Sequence, residues 1–266
     1  FTGTPDGFAN LSPLWVRGQE GNGVWKSWRT FKSIENPWLD PNEIEEARRT
    51  TDPQTFRQEW EASFEAPAGR LFDDFHRDTN VRPCPFDRGL PVTVGVDFNV
   101  DPMTAVVIQM HGDEWWVPHI IELRNSHTRR LAEHLEEWGR AAYGTGDWQS
   151  NIEVVCDPTG NARWHNIGRS DISILQACGF AVRYRSVSRE TDKWNAVRAL
   201  VLSADGKRRL FVDPSCRRLI ERLEQVGPED EDDHLTDALG YAALFYREGL
   251  DAGAPPSSYG ADPEEE

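Results

Sequence analysis

Between residues 92 and 123 the chain runs in three short apolar stretches, 92–97, 104–110 and 114–123, separated by "FNVDPM" and "HGDE". Gaps that short fit hairpins, so three successive antiparallel strands are expected. The period then changes. Over 128–143, Leu131, Leu135 and Trp138 recur on one face of an amphipathic helix. Strand and helix signals alternate from there: a strand at 151–156, a helix in "SDISILQACGF" with a capping serine or aspartate and a glycine stop, and a strand in "AVRYRSV". A helix at 193–203, a strand in "RRLFVD", a helix at 216–225 and a last helix at 233–246 complete the series, the last facing inward with Leu235, Leu239 and Ala242 or Ala243. Three antiparallel strands followed by alternating helices and strands predict a mixed α/β sheet covered on both faces. A simple Rossmann arrangement is excluded, because it would begin βαβ with a Gly-rich turn, whereas "DFNVDP" follows the first strand here.

Upstream, residues 1–35 form aromatic and apolar runs broken by Gly and Pro, with "VWKSWRTF" alternating like a strand. Two helix starts follow. Asp40 is placed to cap a helix with Pro41 in its first turn and Glu43 three residues after the cap, and Asp52 with Pro53 repeats the device. "EAPAGRLF" marks a boundary near residues 66–72, giving an expected division into 1–68, 69–250 and an acidic, disordered tail at 251–266. The chain opens on Phe1 inside a motif-like stretch and is expected to be part of something longer.

Composition refines this picture in three places. There is no run of eighteen apolar residues and no secretory pattern at the start, so no membrane partner is expected. Cys84, Cys156, Cys178 and Cys216 include no CxxC pair, which argues against a zinc ribbon and leaves buried free thiols. The net charge is −16, but it is concentrated in the five acids of 229–233 and the five of 251–266. Between Arg183 and Arg222, eleven Lys or Arg stand against five Asp or Glu. That segment reads either as a basic face for a polyanion, with Arg185, Arg189 and Lys193 as candidates, or as ordinary solvated helix faces.

The candidate chemistry lies in the carboxylates. Asp97 ends the first strand, Asp157 ends the fourth, and Asp237 falls in the first turns of the last helix. If the first and fourth strands are neighbours, both strand-end acids emerge at one edge, and a helix across that edge brings Asp237 to them. Three carboxylates so close repel one another unless a cation lies between. Oxygen ligands select a hard ion, Mg²⁺ or Mn²⁺, over zinc. Two such ions about 4 Å apart activate a water and steady the leaving oxygen in phosphodiester cleavage. His234 shares a helix face with Asp237 and could ligate the second ion, orient a phosphate or shuttle a proton, or simply cap the helix. Asp233 is a further candidate for cap or ligand. Asp101 reads as a turn residue before Pro102. His127 and His134 lack a third ligand, and neither GxSxG nor GxxxxGK[ST] occurs.

Taken together, these motifs resemble the large terminase subunit of tailed double-stranded DNA phages. "FTGTPDG" at 1–7 is similar to the family's coupling motif, and "NPWLD" with "TFRQEWEASFEAPAGRLF" to the segment leading into its nuclease domain. "VGVDFNVDPMTAVV", "VVCDPTGNARW" and "DDHLTDALGYA" resemble the three acidic motifs of its RNase H-like nuclease, in family order. The resemblance implies that 1–68 closes an ATPase core and links it to a nuclease at 69–250. It also implies metal-binding acids at Asp97, Asp157 and Asp237, with His234 and Asp233 assisting. The implied activity is Mg²⁺- or Mn²⁺-dependent cutting of concatemeric double-stranded DNA in the host cytoplasm. In the full protein the implied partners are ATP, the portal protein and the small terminase subunit; this chain alone is not expected to hydrolyse ATP. Two rivals stand beside it: another RNase H-like enzyme of resolvase or transposase type, and a non-enzymatic fragment that docks on a portal or capsid.

Overall fold

The computed structural model describes residues 15, 18–19, 31–63, 69–144, 146, 148–161, 170–185, 190–228, 230 and 233–252. The coupling-like stretch at 1–7, most of "VWKSWRTF", Arg189 and the tail beyond 252 lie outside the described residues.

Six strands form one mixed sheet: β1 (Val92–Asp97), β2 (Met103–His111), β3 (Glu114–Leu123), β4 (Ile152–Cys156), β5 (Ala181–Tyr184) and β6 (Leu210–Val212). Their spatial order is β5-β4-β1-β2-β3-β6. The β1–β2 and β2–β3 pairs are antiparallel hairpin neighbours, while β4 lies parallel to β1, β5 to β4 and β6 to β3. β1 is central and buried along its whole length, which explains why its apolar run is interrupted only by small or chemically special residues.

Strand alternation gives the sheet one core on each face, and a third small cluster of Ile44, Ala47 and Phe56 lies under the upstream helices. Val92, Val94 and Val96 pack with Met103, Ala105, Val107 and Val154 under α4 (Thr128–Tyr143) and α5 (Asp171–Ala177). The opposite face carries Val106, Ile108, Val117 and Val155 against α6 (Glu190–Val201), α7 (Arg217–Gln225) and α8 (His234–Ala252). On β1 that second face belongs to Thr93, Gly95 and Asp97. Gly95 is required by packing: a Cβ there would stand 2.1 Å from the backbone oxygen of Ala238 and 3.3 Å from Ala242 Cβ. Helix α8 therefore lies directly on β1, helped by its own small residues Ala238 and Ala242, both fully buried.

The upstream helices are α1 (Pro41–Thr50) and α2 (Pro53–Trp60); a single turn, α3 (Arg77–Asn80), precedes β1. Asp40 accepts from Asn42 N at 2.9 Å, and Asp52 accepts from Gln54 N and Thr55 N at 3.1 and 3.0 Å, so both caps form where the sequence places them. The pair is fixed to the body rather than free: Ala204 N donates to Thr51 O at 2.8 Å, and Arg198 pairs with buried Asp52 at 3.2 Å. Cys84, Cys156, Cys178 and Cys216 are all free thiols. No helix among the described residues is long and apolar enough to cross a membrane.

Candidate active site

The sheet register brings the two strand-end acids together. The parallel β1–β4 ladder ends on the pair Val96–Cys156, and one further step sets Asp97 beside Asp157. Both fall on the α8 side, since Gly95 and Val155, two residues earlier, face that helix. Asp237 stands one turn into α8, immediately before Ala238, the residue seated over Gly95. The geometry that holds the helix down therefore also sets the position of its acid.

Thr104 lies opposite Asp97 in the β1–β2 ladder, and its hydroxyl donates to the carbonyl oxygen of His234 at 2.8 Å. This pins the start of α8 to the sheet. The His234 ring bridges two residues of the strand end: its Nδ1 lies 2.8 Å from Asp97 Oδ2, and Asn99 Nδ2 lies 2.7 Å from Nε2 and 3.3 Å from Nδ1. His234, the first residue of α8, thus contacts the Asp97 carboxylate directly. Asp97 is 7% exposed, and burial pushes its carboxyl above the usual range, opposed by the His234 hydrogen bond and reinforced by the charges of Asp237 and Asp157. Tyr241, one turn beyond Asp237, neighbours all three acids. Burial and then the charges of Asp157, Asp97 and Asp237 drive its hydroxyl far above the ordinary tyrosine range, so it stays protonated as a donor.

Each acid takes the nearest donor. Asp157 folds back on its own turn and accepts from Thr159 N at 2.9 Å and from Thr159 Oγ1 at 2.6 Å. Asp237 Oδ1 accepts from Lys193 Nζ at 2.7 Å. As the side chains stand, no three His, Cys, Asp or Glu among the described residues converge closely enough to hold an ion. The donor types nevertheless fit a hard divalent cation: three aspartates and one imidazole are placed toward the same end of the sheet, with no thiolate among them. Beside them, Asp233 directly precedes α8. Its Oδ1 accepts from Arg222 Nε at 3.1 Å, while Oδ2 is buried without a hydrogen-bond partner. Burial raises the Asp233 carboxyl too, with Arg222 opposing.

The basic-face expectation changes. Lys193 is 5% exposed with its ammonium on Asp237, so it is not a surface contact for a phosphate backbone. Arg185 is half-buried and donates to Leu244 O at 3.3 Å. Asn99, Thr104 and Tyr241 are the site residues that the sequence reading passed over. Tyr241 carried a usable signal, lying four residues after Asp237 on the same helix face; the roles of Asn99 and Thr104 depend on contacts more than a hundred residues apart.

Burial of an ionised Asp97 should show in stability. Because the folded-state pKa lies above the unfolded one, the folded state holds the proton more tightly, and stability falls as pH rises through that window. In EDTA, Asp97→Asn is therefore expected to melt above wild type at neutral pH. The gap should shrink as pH drops into the carboxylate range. A variant that melts below wild type across the whole pH series would show instead that ionised Asp97 is net stabilising.

The sheet order and helix placement are those of the RNase H-like α/β fold, as it occurs in terminase nuclease domains. The P22 large terminase nuclease domain matches over 69% of this chain and 94% of its own, with TM-score 0.50 and 14% identity. The large terminase of the thermophilic bacteriophage D6E matches over 93% of this chain and 60% of its own, with TM-score 0.65 and 14% identity. No family model matches. Among curated proteins, the terminase large subunit of Escherichia phage T5 is 26% identical over 279 residues, covering 91% of this chain. The chain is thus similar to the T5 protein and spans about half of its length, 54%.

Proposed function

We propose that this chain carries the nuclease of a phage genome-packaging large terminase, an Mg²⁺- or Mn²⁺-dependent endonuclease that cuts concatemeric double-stranded DNA. The observation that supports the reading is the placement of Asp97 and Asp157 at adjacent strand ends, with Asp237 one turn into the helix seated on that central buried strand, on a terminase-like fold. Divalent ions held there, two in this reading, would supply an activated water and neutralise charge on the leaving oxygen. The protein's own groups do the rest. Asp97, Asp157 and Asp237 are the ligands, with the Asp233 oxygen that lacks a partner as a fourth candidate. His234 holds the Asp97 carboxylate, and Asn99 in turn contacts the His234 ring. Tyr241 keeps a proton at the rim where phosphate charge would develop.

In the same reading, residues 1–68 close an ATPase core and residues 69–250 form the nuclease. DNA is held by arginines of the 183–222 segment, with Arg185 and Arg189 as candidates in place of Lys193. ATP, the portal protein, the small terminase subunit and the host cytoplasm belong to the whole protein.

A plasmid nicking assay with Mg²⁺, Mn²⁺ or EDTA tests the reading. Relaxed and linear products with either ion, and none with EDTA, are expected. Intact plasmid under every condition would leave a docking role for this part of the chain, and preferential cleavage of four-way junctions over linear duplex would favour a resolvase.

A further inference from the structure

Lys193 is an unusual charge to find inside this site. It projects from α6, is almost fully buried, and has its Nζ 2.7 Å from Asp237 Oδ1. Its stem lies flat on α8 because position 240 is glycine: a Cβ at Gly240 would stand 3.0 Å from Lys193 Cβ and 3.6 Å from its Cγ and Cδ. From the same position the ammonium also touches Tyr241. Its Nζ is 3.4 Å from the Tyr241 hydroxyl and 4.5 Å from the centroid of the Tyr241 ring, a cation–π distance. A buried ammonium is costly unless paired, and here the pairing partner is a proposed metal ligand.

We propose that Lys193 is a resident cation of the carboxylate cluster: it balances Asp237 until a divalent ion arrives, and the ion must displace it onto Tyr241 to bind. This rests on the metal-site reading above, and it adds a positioning residue that sets how tightly the free protein holds the ion. The ammonium and the ion are alternative partners for one oxygen, so their binding is anticooperative. Removing the lysine charge should then tighten ion binding. A lysine that merely packs would leave affinity unchanged or weaken it through lost structure.

The test is calorimetric titration of Mn²⁺ into the wild-type chain, K193M and K193Q, with melting curves in EDTA and in saturating Mn²⁺. K193Q keeps a donor to Asp237 without the charge, and it serves where K193M does not fold. The lysine-free variants are expected to melt below wild type in EDTA and to recover most of that difference in Mn²⁺. They should bind Mn²⁺ at least about fivefold more tightly, the lower end of ordinary coupling between two ligands. The double variant K193M/D237N, with neither charge, is expected to regain stability in EDTA. Wild-type binding of Mn²⁺ with equal or weaker binding by both lysine variants would overturn the role of Lys193 and leave the metal site standing. Absence of Mn²⁺ binding by all three proteins would remove the metal site and this role with it.

Discussion

Replacing Asp97 with asparagine is expected to lower plasmid cutting by about a thousandfold while leaving DNA affinity unchanged or slightly higher. The size follows from what is removed. Asp97 is the carboxylate on the central strand, it is buried, and it is the acid toward which the His234–Asn99 chain is directed. Asparagine keeps the shape and still hydrogen-bonds His234, so the fold is spared, but the anionic ligand is gone. Losing several kcal/mol of transition-state charge stabilisation corresponds to about three orders of magnitude in rate. DNA binding rests on phosphate contacts elsewhere, and deleting a negative charge from a site that meets phosphate does not weaken it. A nicking time course beside a gel-shift titration checks both halves. Cutting by the asparagine variant at the wild-type rate in Mn²⁺ would take Asp97 out of the mechanism.

Gly95→Ala is expected to be the most damaging single methyl group in the molecule. The added Cβ would meet the Ala238 backbone oxygen at 2.1 Å, a distance that no rotamer change relieves, because the obstacle is main chain. Either β1 or α8 must move. Overpacking of a tight core costs about 1–3 kcal/mol, and a backbone clash belongs at or above the upper end. For a chain of this length, a loss of about 3 kcal/mol lowers the melting temperature by roughly 6–12 °C. The displaced helix would carry Asp237 and His234 with it, so cutting by the molecules that remain folded should also fall. Thermal melts and cutting rates normalised to folded protein measure the two effects. A variant within a degree of wild type would mean that α8 is not seated on β1 as described.

Much of this arrangement was readable from local pattern. The hairpin strands β1 to β3 follow from apolar runs bounded by short polar turns, and the caps of α1 and α2 from Asp-Pro pairs. The placement of Asp97 and Asp157 at strand ends followed from the pattern, while the adjacency of those strands, a condition of the sequence reading, is supplied by the sheet order. What escaped was set by contacts across the chain. Lys193 sits in a segment rich in arginine and reads as a candidate for a phosphate backbone or as a solvated cation; only the absent side chain at Gly240 lets its stem lie against α8 and its ammonium reach Asp237. The three residues Leu210–Val212 look like any short apolar run, and their place beside β3, at the opposite edge from β5, is a property of the whole sheet. His234 offered several roles to the sequence. Its contact with Asp97 adds another, holding a carboxylate in place.

The most direct measurement is anomalous diffraction from crystals of this chain equilibrated with millimolar Mn²⁺. The expected map has an ion peak between Asp97 and at least one of Asp157 and Asp237, with carboxylate oxygens at about 2.2 Å, the Thr159 or Lys193 contact released, and the Lys193 ammonium moved toward the Tyr241 ring. A map with no peak among the three aspartates, Asp157 still folded onto Thr159 and Asp237 still on Lys193, would contradict a shared metal site at this rim.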